Sequence, residues 1–327
     1  MKAVWYERFG AARDVLSVGE LADPVPGQGE VLVRLHASGI NPSDVKLRAG
    51  ARPGAVMQFP QIVPHSDGAG VIEAVGPGVD SARVGERVWI WNGQWQRAFG
   101  TAAELIAVPE AQARHLPDAA SFEEGACLGI PAMTAWYALL GDGADLAGQT
   151  VLVTGGAGTV GRYACQIAAL AGARVITTVS SEEKARHSTA DTWINYRETD
   201  VAEAVMDLTN GAGVDRIVEV DFAANQAVSL ALIKPRGVIS TYASVSEMEP
   251  RLTFYPFMFK NVTLRMLIVY QIDEETQARG AADLARWLED DALSHAVVPA
   301  GSLGDTAEAH ERVEAGEKLG TVVIRMV

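Results

Sequence analysis

The 327 residues carry a formal net charge of −14, with 48% hydrophobic and 21% charged side chains. That balance suits a globular chain with room for two domains, and as a bulk effect it repels nucleic acid and anionic membranes, so neither is expected as a partner. Two cysteines, Cys127 and Cys165, exclude a disulfide framework and a four-cysteine zinc site. No run approaches the ~18 apolar residues of a membrane span. Glu7 and Arg8 stand where a secretory leader would be apolar, so a reducing, cytoplasmic setting is expected.

Residues 1 to about 125 are punctuated by Gly and Pro. Val31, Val33, Leu35 and Ala37 alternate with Leu32, Arg34 and His36, the period-2 pattern of a half-buried strand. Residues 71–75 and 87–90 are further short strands, set off by Gly76-Pro-Gly78 and Gly85-Glu86. Helical periodicity is scarce, and this part reads as a β-rich module.

Near 120 the character changes. Residues 122–140 are helix-compatible, with an interruption at 129–131. From Thr150 strands and helices alternate. A strand is followed by a helix whose stripe is Val160, Ala164, Ile167, Ala168 and Ala171, then by a second strand at 174–179. Ile194 marks a short strand, and Val201, Val205 and Leu208 a helix closed by Asn210-Gly211. A strand at 215–220, a helix at 224–233 and a strand at 237–242 follow. Such βα repetition implies an α/β fold with a doubly wound parallel sheet. Residues 262–270 read as one more strand, Ala281, Leu284, Ala285 and Leu288 as a late helix, and 322–324 as a closing strand.

Between the first strand and helix of this series, Gly156, Gly158 and Gly161 spell G-x-G-x-x-G, with Ala157, Thr159 and Val160 between them. The spacing predicts a tight turn at the first glycine, backbone approach to a pyrophosphate at the second and close helix–strand contact at the third. Amides at the helix start would face the phosphates. Glycine is common in this chain, and the motif gains weight from the strand before it and the amphipathic helix after it.

An NAD-binding chain tends to end its second strand with an acid on the ribose diol. Here Thr178-Val-Ser-Ser181 ends the strand, so a 2′-phosphate meets no repulsion there. Ser180 can donate a hydrogen bond and Lys184 can supply positive charge, which favours NADPH. Glu182 and Glu183 weigh against that reading, and Lys184 is also an ordinary surface-helix residue.

Several segments together resemble the medium-chain dehydrogenase/reductase superfamily, within it the zinc-independent, zeta-crystallin-like quinone oxidoreductase branch. They are His36-Ala-Ser-Gly-Ile-Asn-Pro-Ser-Asp44, the stretch from Pro64-His-Ser-Asp67 to Gly78, Gly85-Glu-Arg-Val88, Pro131-Ala-Met-Thr-Ala-Trp-Tyr137, the glycine loop and Val179-Ser-Ser-Glu-Glu-Lys184. The resemblance implies a GroES-like catalytic domain over 1–125 and a Rossmann domain over 126–270. It also implies a segment 271–327 returning to the catalytic domain, with substrate in the cleft. It further implies a homodimer or homotetramer, the usual dimer extending the Rossmann sheet; 262–270 is the matching candidate, and its plainer reading is an internal strand.

Zinc-dependent relatives place a cysteine where this chain has Asn41, and Gly-His-Glu where it has His65-Ser-Asp67. Ser66 therefore stands at the ligand histidine's position, one residue past the real histidine, and no metal is expected. His65 either caps a loop or lines the pocket.

Without zinc, a hydride donor needs an acceptor whose conjugation spreads charge, and a protein donor for the oxygen. Quinones and α,β-unsaturated carbonyls meet that need. Asn41 matches the family's active-site asparagine, although Asn before Pro42 is also a common turn residue. Asp44 is expected to orient that loop or, less simply, to act as an acid. Lys46 stands where relatives carry tyrosine, leaving the proton to come from solvent or from a site that Lys46 influences. Thr134 matches a threonine beside the nicotinamide; otherwise its hydroxyl bonds within a helix. Tyr196 and Arg197 match a segment near the adenosine phosphate, and Tyr242 closes a strand within reach of the nicotinamide ribose. Trp89, Trp91, Trp95 and Phe99 line an apolar cleft or pack a rim, and Arg97 is a candidate for attracting an anionic substrate. The expected activity is NADPH-dependent quinone reduction. Alternatives are an enone reductase and a non-catalytic NADPH-binding structural or sensor protein.

Overall fold

The computed structural model describes residues 1–51, 54–316 and 319–326, and its strands follow the apolar runs of the sequence. In chain order the first elements are β1 (Lys2–Trp5), α1 (Ala12–Val15), β2 (Ser17–Glu20), β3 (Glu30–Ile40), α2 (Pro42–Ala49) and β4 (Asp67–Val75). Next come β5 (Arg87–Ile90), β6 (Leu105–Pro109), β7 (Ala113–His115), α3 (Phe122–Gly125) and α4 (Met133–Leu140). The alternating series is β8 (Thr150–Val153), α5 (Thr159–Leu170), β9 (Arg174–Val179), α6 (Glu182–Ser188), β10 (Thr192–Asn195) and α7 (Val201–Leu208). It continues with β11 (Val214–Glu219), α8 (Phe222–Leu232), β12 (Ile233–Thr241), α9 (Phe254–Phe259) and β13 (Thr263–Met266). The chain closes with α10 (Glu274–Glu289), β14 (Val297–Ser302), α11 (Thr306–Glu314) and β15 (Thr321–Arg325).

Two compact units result: Met1–Ile130 with the chain from Ala281 onward, and Pro131–Gly280. In the first, strands run β14-β15-β3-β4-β5-β7, with β6 also on β3. β3 obeys its alternation: Val31, Val33 and Leu35 are buried against Ile72, Val88, Ile90, Ile106 and Val108. The late segment joins this unit as β15 pairs antiparallel with β3, Val322 opposite Ile40 and Arg325 opposite Ala37. Leu303, Val313, Val322 and Ile324 thereby share a core with Val4, Ile40 and Val45.

The second unit is a six-stranded sheet in the order β10-β9-β8-β11-β12-β13, every ladder parallel. From β8 the chain winds outward to β10, then crosses to β11 and winds the other way, which is the Rossmann order. Strands covered on both faces read as near-continuous apolar runs, and Leu152, Ile176, Ile217 and Ile239 are fully buried.

The unit boundaries fall at 130 and 280, not at 125 and 270. Ile130 stays with the first unit because its N–H donates to the Asp67 carboxylate at 2.9 Å. Gly280 stays with the second because it lies against Met133 and Trp136, where a Cβ would come within 2.7–2.8 Å. The interruption expected at 129–131 is a π-helical turn, Leu128–Ala132, containing Pro131. The strand expected over 262–270 is only Thr263–Met266, since its partner β12 ends at Thr241. Leu267 donates to the Thr241 carbonyl, and the chain turns away through a short 3-10 turn, Val269–Gln271.

Candidate cofactor and substrate sites

The glycine turn leaves β8 at the carboxyl end of the parallel sheet, where open α/β sheets bind ligands. Gly155 takes the left-handed conformation, φ +68°. It, and not Gly156, makes the tight turn. Gly156 is needed for proximity: a Cβ there would lie 2.1 Å from Thr177 Oγ1. Thr178 on β9 pins the turn, its hydroxyl accepting from Gly155 N–H at 3.1 Å and its carbonyl from Gly156 N–H at 3.1 Å. Gly158 caps α5 in extended conformation, and a Cβ there would meet only the Gly155 carbonyl at 3.3 Å. That side is open. At Gly161 a Cβ would strike the Gly155 carbonyl oxygen at 2.3 Å, so helix and turn touch there. Ala157 lies in the turn, and Thr159 and Val160 open α5, whose first-turn amides have no helical acceptors. The cradle fits a diphosphate.

At the end of β9, Ser180 is buried and Ser181 caps α6, accepting from Lys184 N–H at 3.3 Å. Lys184 is exposed. Of the two acids that opposed an NADPH reading, Glu182 pairs with Arg186 at 2.8 Å. Tyr196 is half exposed, and Arg197 is exposed with its N–H donating to Asn195 Oδ1 at 3.1 Å. Two hydroxyls and a flexible cation are what a ribose 2′-phosphate requires.

Tyr242 and Glu219 form a further polar group. Burial, with Glu219 and Cys165 nearby, pushes the Tyr242 phenol above its usual range. Glu219 ends β11 fully buried, and burial raises its carboxyl despite bonds from Thr154, Asp221, Asn225 and Ser229. Sequence reading passed over it as part of the strand at 215–220. Thr134 sits buried in α4 of the same unit.

In the first unit the residues converge on the start of α2. Asn41 is its N-cap, and its backbone N–H donates to Asp44 Oδ2 at 2.7 Å. Asp44 thus orients the loop. The Asn41 side-chain NH2 donates to Asp67 Oδ2 at 2.8 Å. Both side chains are buried, Asn41 2% and Asp67 0% exposed. Burial holds Asp67 well above the ordinary carboxylate range, and Asp44 pushes the same way. Lys46 is exposed, two residues and about 200° round the helix from Asp44.

His65 is fully buried. Its Nδ1 lies 2.9 Å from Ser38 Oγ, and its Nε2 lies 2.8 Å from Nε2 of His310 on α11. Ser38 meets Thr101 Oγ1 at 2.7 Å, and Thr101 donates to the Asp67 carbonyl at 2.6 Å. One proton assignment satisfies this chain. Thr101 spends its proton on the carbonyl, so Ser38 donates to Thr101 and accepts from His65 Nδ1–H. His65 Nε2 then accepts from His310 Nε2–H, leaving His310 Nδ1 as a buried acceptor without a hydrogen bond.

Burial holds both imidazoles far below their usual pKa, with His65 and Arg48 adding to the shift at His310. The unfolded chain binds protons below about pH 6.5 that the folded chain refuses. The histidine contribution to stability is therefore whole above that pH and lost as pH falls towards the folded values. Asp67 and Glu219 run the opposite way, holding protons in the folded state. We expect His310→Asn to flatten the stability–pH curve by about 1.4 kcal/mol per pH unit below pH 6.5, read by urea denaturation.

Trp89 and Trp91 are buried, the first at 0% exposure, and serve packing, while Phe99 is exposed. Arg97 is engaged by Glu30 and by the Ala107 carbonyl, so it does not wait for an anionic substrate. The zinc-ligand positions hold Asn41 and Ser66, and His65 has both ring nitrogens committed; this set does not fit zinc. Among the described residues no cluster of three or more His, Cys, Asp or Glu could hold a metal ion.

A family model described as "Alcohol dehydrogenase GroES-like domain" matches residues 27–118, and one described as "Zinc-binding dehydrogenase" matches 159–286. Quinone oxidoreductase of Sus scrofa is 30% identical over 321 residues, covering 96% of this chain and 94% of that one. The chain belongs to the medium-chain dehydrogenase/reductase superfamily, in its zinc-independent quinone oxidoreductase branch. A mycobacterial quinone oxidoreductase structure superposes with a TM-score of 0.87 at 31% identity, covering 99% of both chains. A mycobacterial structure complexed with NADPH superposes at 0.85 with 32% identity, covering 99% of this chain and 100% of that one. In this chain Asn41 lies within the stretch matched by the GroES-like model, and the glycine turn follows β8 of the parallel sheet.

Proposed function

We propose that this protein is an NADPH-dependent oxidoreductase that reduces quinones without zinc, with conjugated enones as the neighbouring substrate class. The observation that carries the reading is the nearly end-to-end likeness to quinone oxidoreductases, one of them 30% identical over 321 residues. The glycine turn and the end of β9 fit the cofactor. Gly156, Ala157, Gly158, Thr159, Val160 and Gly161 hold the diphosphate by backbone amides. Ser180, Lys184 and Arg197 take the 2′-phosphate, Tyr196 lies against the adenosine end, and Tyr242 and Thr134 flank the nicotinamide side. NADPH, when bound, supplies the hydride.

The chain's own part is to bind, orient and polarise. Asn41 donates to the acceptor carbonyl, where charge develops. Asp44 fixes the loop that carries it. Lys46, on the exposed face of α2, acts at most through its field, and solvent protonates the reduced acceptor.

A homodimer is part of this proposal. β13 is a sheet edge, and Phe254, Tyr255, Met258, Phe259, Met266 and Ile268 beside it are exposed. An open edge next to exposed apolar side chains is a docking surface for a second copy. The cytoplasmic assignment rests on Cys127 and Cys165, both buried and outside any disulfide. Among the described residues no helix is long and apolar enough to cross a membrane.

The test is NADPH oxidation against a benzoquinone, a naphthoquinone, an enone and an aldehyde, before and after exhaustive chelation. We expect turnover of the conjugated acceptors, unchanged by the chelator. Tight NADPH binding with no turnover of any acceptor would replace this reading with the non-catalytic one.

A further inference from the structure

We infer that Asp67 is a positioning residue for Asn41: through one carboxylate oxygen it fixes which end of the Asn41 amide faces the acceptor. The inference rests on the quinone-reductase reading above. An asparagine amide can sit either way round in a pocket, presenting NH2 or oxygen. Here the choice is made by Asp67 Oδ2. It accepts from Ile130 N–H, a backbone group that can only donate, at 2.9 Å. Oδ2 is therefore an acceptor, and Asn41 must turn its NH2 towards it, as the 2.8 Å contact records. One N–H of that group is spent on Asp67. The other is left for a carbonyl oxygen, at a fixed azimuth.

The second oxygen, Oδ1, is buried without a hydrogen-bond partner. Gly129 makes room for it, since a Cβ there would lie 2.2 Å from Oδ1. No cation contributes to the shift at this carboxyl, and burial raises its pKa well above the ordinary carboxylate range. Oδ2 accepts from both donors whether or not Oδ1 carries a proton. The site thus needs one accepting oxygen, not a charge. This accounts for an acid two residues past His65 in a chain whose other metal-ligand positions are lost.

The experiment is a double-mutant cycle read in kcat, KM for the quinone and NADPH affinity. Asn41→Ala is expected to lower kcat about a hundredfold, the scale of losing one donor at a developing oxyanion. Asp67→Ala, or the shape-matched Asp67→Leu if the first folds poorly, should reproduce that loss with NADPH affinity unchanged. The double variant should be no worse than Asn41→Ala, because Asp67 acts through that amide. Asp67→Asn should keep kcat within about threefold, its carbonyl replacing Oδ2. Multiplicative losses in the double variant, wild-type kcat in both Asp67→Ala and Asp67→Leu, or a dead Asp67→Asn would overturn the inference. Absence of quinone turnover in the unmutated protein would instead sink the functional reading beneath it.

Discussion

Gly161→Ala and Gly158→Ala are expected to separate folding from cofactor binding. The Gly161 methyl would fall 2.3 Å from the Gly155 carbonyl oxygen and 2.9 Å from Gly156 Cα. Both obstacles are backbone, and neither can rotate aside. The start of α5 must shift, at about 1–3 kcal/mol for an overpacked contact, and the amides shift with it. NADPH affinity should fall by at least about tenfold, equivalent to ~1.4 kcal/mol. At Gly158 the added methyl meets only the Gly155 carbonyl at 3.3 Å. That variant should melt close to the parent, yet its methyl fills the face offered to the diphosphate. Calorimetric titration with NADPH and thermal melts read the two effects. A Gly158→Ala protein that binds NADPH as tightly as the parent would place the diphosphate elsewhere.

Lys184→Ala should weaken NADPH about ten- to a hundredfold while leaving NADH nearly unchanged, the reach of one hydrogen bond to a charged group. The logic is differential. The two cofactors differ only in the 2′-phosphate, so any loss of fold or of diphosphate grip affects both. Glu182 is drawn off by Arg186, which leaves the neighbourhood of Ser180 and Ser181 without an opposing carboxylate from that side chain. Comparing KM for the two nucleotides in parent and variant reads the result. Equal losses would assign Lys184 to the surface of α6 and nothing more.

What could be read in the chain beforehand was local. The run 150–179 announced its strand, turn, helix and strand, because periodicity and glycine spacing are set within a few residues. Even there the turn glycine was misplaced by one, since Gly155 and Gly156 stand side by side and only the backbone conformation tells them apart. Asn41 and Asp44 could be named from their motif, and Asp44's orienting role follows from the three-residue spacing at an N-cap. Asp67 drew notice only as a poor metal ligand, because its partners are 26 and 63 residues distant. The His65–His310 contact spans 245 residues, and no local rule pairs them. The overlong strand at 262–270 failed for a similar reason. Apolar sequence says that a segment can pair, whereas the length of its neighbour decides how far it does.

The two units differ in when their residues become available on the ribosome. Pro131–Gly280 is one continuous stretch and can close as soon as it has emerged. The other unit is split around it: β3 precedes that stretch and its companion β15 follows it, Val322 lying 282 residues past Ile40. At about 5–20 residues per second, that edge waits of order ten seconds or more with its Ala37–Ile40 backbone unclaimed. The nascent chain therefore carries a nearly finished nucleotide-binding half beside an open-sided one, and the interval between them is when chaperone cover matters most.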